Sequence, residues 1–431
     1  MKTNTLCYDI SLKLLACVCM ASISVSSFSA SPGGVTDSLE LWVRADSGVT
    51  VSNGGVDEWS DQSTLSNDAS QVTSNKRPVL SDDLSVDGET LNFNPSVVFD
   101  GSNDLLDVPN LQLDDGASIF AVAFNGQQGS GGSQFKPFII SKDDHDATDE
   151  DKGFLLIAGR SNSNDGDVFF IPPHSNSTAD EFVFDDVTER SNRSAMWLGL
   201  DDTNDQSFIY RNGELKDSNL NVPTDPGAPY TTGYDIGGTE FSTERFYKGG
   251  IAEIIAFDEK LSPANIAKVN SYLGIKYGIT LYQQDLVLSD DTMLWDYSEN
   301  TAYHNDVAAI ATDTGSELQQ KISRSYTNTL ADQAFSISMS MENTFNTLNN
   351  DAGRTLAMAD KSGLVWGRNS GDTGFGISLL SSGDNKRINR IWKTQQTGTA
   401  SSVFIAIPGA VYFDQSLDGG NGAVKPGEKL L

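Results

Sequence analysis

Thiols are nearly missing from this chain. Its 431 residues hold three cysteines, Cys7, Cys17 and Cys19, all ahead of Met20 and inside a segment that reads as an export signal. There, Lys2 and Lys13 flank a polar start, a mostly apolar run covers 14–25, and small residues follow over 26–30. Cleavage after residue 29 puts Ser27 and Ser29 at the small positions, so 1–29 is expected to be removed. The exported remainder then has no disulfide, no cysteine–zinc site and no thiol nucleophile. Leu14-Leu15-Ala16-Cys17 faintly matches a lipoprotein box, but little apolar sequence precedes that cysteine. Long apolar runs are missing too: 14–25 is too short to cross a bilayer, so no transmembrane segment is expected in the mature chain. Histidine is limited to His145, His174 and His304, each in a polar context, and no Gly-x-Ser-x-Gly elbow occurs. Positive charge is scarce: Lys and Arg total 29 against 59 Asp and Glu, a formal charge of -30. That field repels nucleic acid and anionic lipid, making nucleic-acid binding the first function to discard, and it leaves carboxylates for divalent cations.

What is present is strand-like. From Leu39 onward, short apolar or alternating runs are separated by Gly, Asn, Asp and Ser clusters, the pattern of an antiparallel sandwich. Runs over 39–46, 117–124, 138–140, 153–158, 167–171, 181–184, 194–200 and 251–257 all fit strands. Asn212-Gly213 suits a tight hairpin turn between flanking apolar segments. One helix stands out after 251–257. Ser262 is a good N-cap, Pro263 fits the first helical position, Ile266, Val269, Leu273 and Tyr277 share a face, and Gly278 is the natural stop.

The Leu261-Ser-Pro-Ala264 turn, its helix and the following 270–281 segment resemble the end of the concanavalin A-like (laminin-G-like) jelly-roll domains of bacterial secreted and surface proteins. Leu39-Glu-Leu-Trp-Val-Arg-Ala-Asp46, Val56-Asp-Glu-Trp59, Asn67-Asp-Ala69, Phe93-Asn-Pro-Ser-Val-Val-Phe-Asp-Gly101 and the Tyr210-Arg-Asn-Gly213 turn resemble the same family in the same order. The resemblance implies an all-β chain: a two-sheet jelly-roll sandwich with a short closing helix over 35–281, then a smaller C-terminal β-rich domain over 282–431. Segments 294–310, 319–325, 364–367 and 390–398 resemble the uncharacterised module that often follows this jelly roll, and 402–408 is a good strand. No sorting signal follows, so the chain is expected to be freely secreted or a shortened version of a longer protein.

Enzymes of this fold that cleave polysaccharides by retention place two carboxylates about 5 Å apart in one cleft, at even spacing along a strand. Glu253 is followed at those spacings by Ile255 and Phe257, so the pair is missing and Glu253 is expected to be solvent-facing or to form a cap. His304 reads as a structural hydrogen-bonding residue. Calcium is the most reasonable cofactor. The 141–151 loop holds Asp143, Asp144, Asp146 and Asp149 among six acids, and the turn with Asp100 and Asp104 is a second candidate. Against both stand a solvated acidic loop and turn-stabilising aspartates. Trp42, Trp59, Tyr210 and Tyr230 are available as sugar platforms, although tryptophans in strand patterns more often pack the core. These features together point to a non-catalytic extracellular binding or adhesion module for a glycan or a surface protein, calcium-assisted. A secreted glycoside hydrolase or lyase on the same fold, and a structural spacer of a surface protein, stay open as alternatives. An open, polar and aromatic sheet face would favour a ligand, and a covered face would favour scaffolding.

Overall fold

The structure, a computed structural model, describes residues 30–82, 84, 90–113, 116–124, 138–142, 155–158, 168–171, 183–185, 195–202, 206–220, 233–239, 245–325, 336–371, 375–377, 386–388, 390–399 and 402–407. The expected export signal lies outside them.

The period-two runs pair as an all-β sandwich. An eight-stranded antiparallel sheet runs, in spatial order, Glu214–Asn219, Gln206–Arg211, Ala195–Asp202, Ser118–Phe124, Lys248–Phe257, Ser96–Asp100 and Val79–Ser81. Leu39–Arg44 is its eighth strand and shares an edge of Lys248–Phe257 with Ser96–Asp100: Ile251 lies opposite Val97, and Ile255 opposite Trp42. The second sheet has nine strands, Val183–Asp185, Val168–Ile171, Leu155–Ala158, Phe138–Lys142, Tyr234–Ile236, Leu106–Val108, Ala69–Ser70, Gly55–Trp59 and Val49–Ser52. Asn212 and Gly213 take the positive φ values, 51 and 81, that their hairpin turn requires.

Central strands are apolar throughout because both of their faces are covered. Successive side chains of a strand project to opposite faces, so an unbroken apolar run means burial on both. In Ser118–Phe124, Ile119, Ala121 and Ala123 enter the core between the sheets, whereas Phe120, Val122 and Phe124 enter a second core on the far side. Lys248–Phe257 does the same, with Ile254 and Ala256 inward and Ile255 and Phe257 outward. A β-bulge between Ile251 and Glu253 turns Ala252 and Glu253 toward the second core together.

Helix α1 (Pro263–Tyr277) lies across that far side. The Ser262 hydroxyl accepts from the Asn265 N–H at 3.2 Å, and Gly278 ends the helix at φ 64. Val269, Leu273 and Tyr277 are buried and Ile266 half-buried, as the spacing predicts. The sequence pattern implies one apolar face; instead, every residue over 269–277 is buried, Asn270, Ser271 and Lys276 included. A helix buried all round lies inside a core rather than on its surface.

The covering layer is the chain beyond Gly278. Leu294, Trp295, Val307, Ala309 and Val365 belong to the same second core as α1. Val307 and Ala309 lie in Asn305–Asp313 and Val365 in Ser362–Arg368, which join Leu318–Gln320 and Trp392–Thr397 in a four-stranded sheet. Its opposite face packs Ala308, Ile310 and Trp366 on Met339, Met341 and Met358. Met339 belongs to a three-stranded sheet of Ile322–Arg324, Ser338–Ser340 and Phe404–Ala406. Residues on both sides of 281 therefore share one core.

Candidate functional site

Glu253 is neither solvent-facing nor a cap. The bulge turns it under α1, where it is 1% exposed. Its Oε1 accepts from Trp42 Nε1 at 2.7 Å, and its Oε2 accepts from Tyr277 Oη at 2.7 Å and from Lys276 Nζ at 2.8 Å. Lys276 Nζ also donates to Asp46 Oδ1 at 2.8 Å and to Tyr272 Oη at 3.2 Å. Arg44 extends the network, 3.8 Å from Asp46 and 2.7 Å from Glu317 beyond the helix. Burial pulls the Lys276 ammonium down, but Asp46, Glu253 and Tyr272 outweigh it and hold the group above its ordinary value. For Asp46, burial pushes up, and Lys276 and then Arg44 outweigh it, leaving the carboxyl below the usual carboxylate range. Paired in this way and shut off from solvent, Glu253 has no access to a polysaccharide. Trp42 is spent here and Trp59 lies wholly in the core between the sheets. Tyr210 is half-buried against the second core, and Tyr230 lies outside the described residues.

A second group of acids lies at the sandwich rim. A cleft of about 400 Å³ opens beside the edge strand Val79–Ser81, lined by Val79, Leu80, Val98, Asp82, Asp100 and Asp104. Asp100 Oδ1 accepts the backbone N–H groups of Ser102 and Asn103 at 2.7 and 3.3 Å, and Asp104 Oδ2 accepts that of Asp100 at 2.9 Å. Both carboxylates thus stabilise their own turn. Burial, aided by the charge of Asp100 and opposed by the Asp100 N–H, pushes the Asp104 carboxyl up to about 7. A calcium ion takes six to eight oxygens. Among the described residues no group of three or more His, Cys, Asp or Glu side chains is arranged to hold a metal. Asp143, Asp144, Asp146 and Asp149 lie outside the described residues.

Two further polar residues act as fasteners. His304 accepts from Trp295 Nε1 at its Nδ1, 3.1 Å, and its Nε2 donates to the Leu281 carbonyl at 2.7 Å. Burial lowers its pKa, keeping the ring neutral in this bridge. Asn92, from the stretch that resembles the jelly-roll family, sends Nδ2 to the Lys276 carbonyl at 3.0 Å and Ser323 Oγ at 2.9 Å, while its Oδ1 accepts from Arg324 N at 2.7 Å. One asparagine thereby satisfies a carbonyl at the C-terminus of α1 and binds a strand of the C-terminal part. No local pattern marks either Asn92 or the Asp46–Lys276 pair, whose members are 230 positions apart.

With this geometry in view, the likenesses to known proteins can be set beside it. A family described as "Domain of unknown function (DUF8202)" matches residues 265–422, beginning within α1. No curated protein matches the chain. Among solved structures, the CBM40 of Ruminococcus gnavus IT-sialidase bound to α2,3-sialyllactose is similar at 15% identity, over 35% of this chain and 80% of that one, TM-score 0.29. Domain 4 of AbnA, an extracellular arabinanase from Geobacillus stearothermophilus, in complex with arabinotriose, is similar at 12% identity, over 55% of this chain and 100% of that one, TM-score 0.33. The ligand-binding domain of botulinum neurotoxin serotype D in complex with N-acetylneuraminic acid is similar at 12% identity, over 85% and 80%, TM-score 0.39. All three hold a sugar. At these TM-scores the likenesses assign neither ligand nor activity to this chain, and its fold stands on its own strand order.

Among the described residues no helix is long and apolar enough to cross a membrane.

Proposed function

We propose that this protein is an exported, non-catalytic binding module that meets a glycan or a surface protein at the rim of its sandwich, and that its sandwich is of the concanavalin A-like type. One observation carries the reading: the far face of the eight-stranded sheet is filled by α1 and the C-terminal strands, so contact moves to the cleft edged by Val79–Ser81. A lining that mixes apolar side chains with carboxyl groups suits the pairing of a sugar ring's hydrophobic face with hydrogen bonds to its hydroxyls. Calcium belongs to the proposal through the 141–151 loop, whose acids are the right type of ligand. A glycan array and a pull-down, run with and without calcium on the wild type and on Asp100→Asn/Asp104→Asn, test it. Binding that the double substitution abolishes is expected. Binding untouched by the substitutions removes the cleft from the proposal, and an unchanged melting temperature on adding calcium removes the ion.

The covered sheet face also favours a second reading, a structural spacer of a surface protein. It predicts no ligand on any array.

A further inference from the structure

Beneath α1, one ammonium meets two carboxylates. Lys276 Nζ is 2.8 Å from Asp46 Oδ1 and 2.8 Å from Glu253 Oε2, and the side chains of Lys276, Asp46 and Glu253 are 4%, 15% and 0% exposed. Trp42, Tyr272 and Tyr277, all buried, surround them. A simple ion pair needs only one carboxylate. Here the ammonium and the Asp46 carboxylate, the two groups that condense to an amide with loss of water, are held in direct contact.

We propose that Lys276 and Asp46 become joined by an intramolecular isopeptide bond, with Glu253 as the proton carrier. Glu253 takes a proton from the Lys276 ammonium and frees the Nζ lone pair, which attacks Cγ of Asp46. The new N–C bond forms as one C–O bond of the carboxyl breaks. The departing oxygen leaves as water, holding the two protons that nitrogen has given up, delivered through Glu253. Ammonium and carboxylate become amide and water, so atoms and charge balance with no added reagent. The Arg44 guanidinium is placed to stabilise the oxygen that turns negative during attack: its Nε–H is buried without a hydrogen-bond partner, 3.8 Å from Asp46 Oδ1. Trp42 and Tyr277 hold the Glu253 carboxylate at 2.7 Å each, which fixes the carrier in place. The bond links positions 230 apart in sequence, tying the end of the first strand to the helix under the C-terminal part. A closure of that length restricts the unfolded chain strongly.

Intact mass spectrometry of the full exported chain decides the matter. The expected mass is lower than the sequence mass by one water, and a protease digest should yield a branched peptide joining the segments that carry Asp46 and Lys276. A wild-type chain at full sequence mass, with the two peptides recovered separately, overturns the proposal; so does a lost water that fragmentation places elsewhere. Glu253→Gln is expected to restore the full mass. A folded Glu253→Gln chain that is still condensed overturns the carrier role. Because the wild-type mass is decisive by itself, the test survives if that variant fails to fold.

Discussion

Asp104 shows how one residue sets a pH response. The residue is 6% exposed and lines the rim cleft, and burial with Asp100 nearby raises its carboxyl from an ordinary 3.8 to about 7. The folded state therefore holds a proton that the unfolded state releases earlier. The stability tied to that proton is complete below pH of about 4 and lost as the pH rises through about 7. The melting temperature of the wild type is expected to fall over that window. Asp104→Asn, which keeps an oxygen for the Asp100 N–H, should flatten that part of the profile, and a variant curve parallel to wild type would assign the response to other groups. Asp104 was legible in the sequence as part of a turn. Its burial was not, because burial depends on residues distant in sequence that pack around the turn.

At the scale of the element, α1 was the most readable part of the chain and still held a surprise. Ser262, Pro263 and Gly278 fix its ends by local chemistry alone, so its limits follow from the sequence. Its surroundings do not. A Cβ placed on Gly278 would lie 2.2 Å from the Arg324 carbonyl oxygen and 3.1 Å from Asn92, at a φ of 64 that already disfavours L side chains. Gly278→Ala should thus lose the about 1–2 kcal/mol of the left-handed conformation and more for the collision. Ser262→Ala, at the exposed end, should lose only about 1 kcal/mol. Urea unfolding of the two variants compares them directly, and equal losses would mean that the C-terminal strand does not press on the helix end. The β-bulge in Lys248–Phe257 is a similar case: alternation counted along the strand gives the face of Glu253 relative to Ile255, but nothing in the run 251–257 tells that this face is dry.

For the whole molecule, the decisive feature is the second core. Trp42, Phe120 and Ile255 of the sandwich, Leu273 of α1, and Trp295 and Val365 of the C-terminal part belong to one cluster. Parts that share a core are expected to unfold together, so calorimetry should give one transition whose calorimetric and van't Hoff enthalpies agree. A chain ending at 281 would expose the apolar surface now under Leu294, Trp295 and Val307, and should aggregate or bind a hydrophobic dye. Two resolved transitions, with the shortened chain soluble and folded, would restore the picture of two independent modules. By itself the sequence determined the all-β class, most strands, the Asn212-Gly213 hairpin and both ends of α1, because alternation, turn residues and caps act over a few neighbouring positions. Only the tertiary structure decided that α1 and strands beyond Gly278 share a core with the far face of the eight-stranded sheet, and that Glu253 is locked to Lys276. Those outcomes depend on contacts between residues hundreds of positions apart, and no local pattern records which apolar surface will meet which.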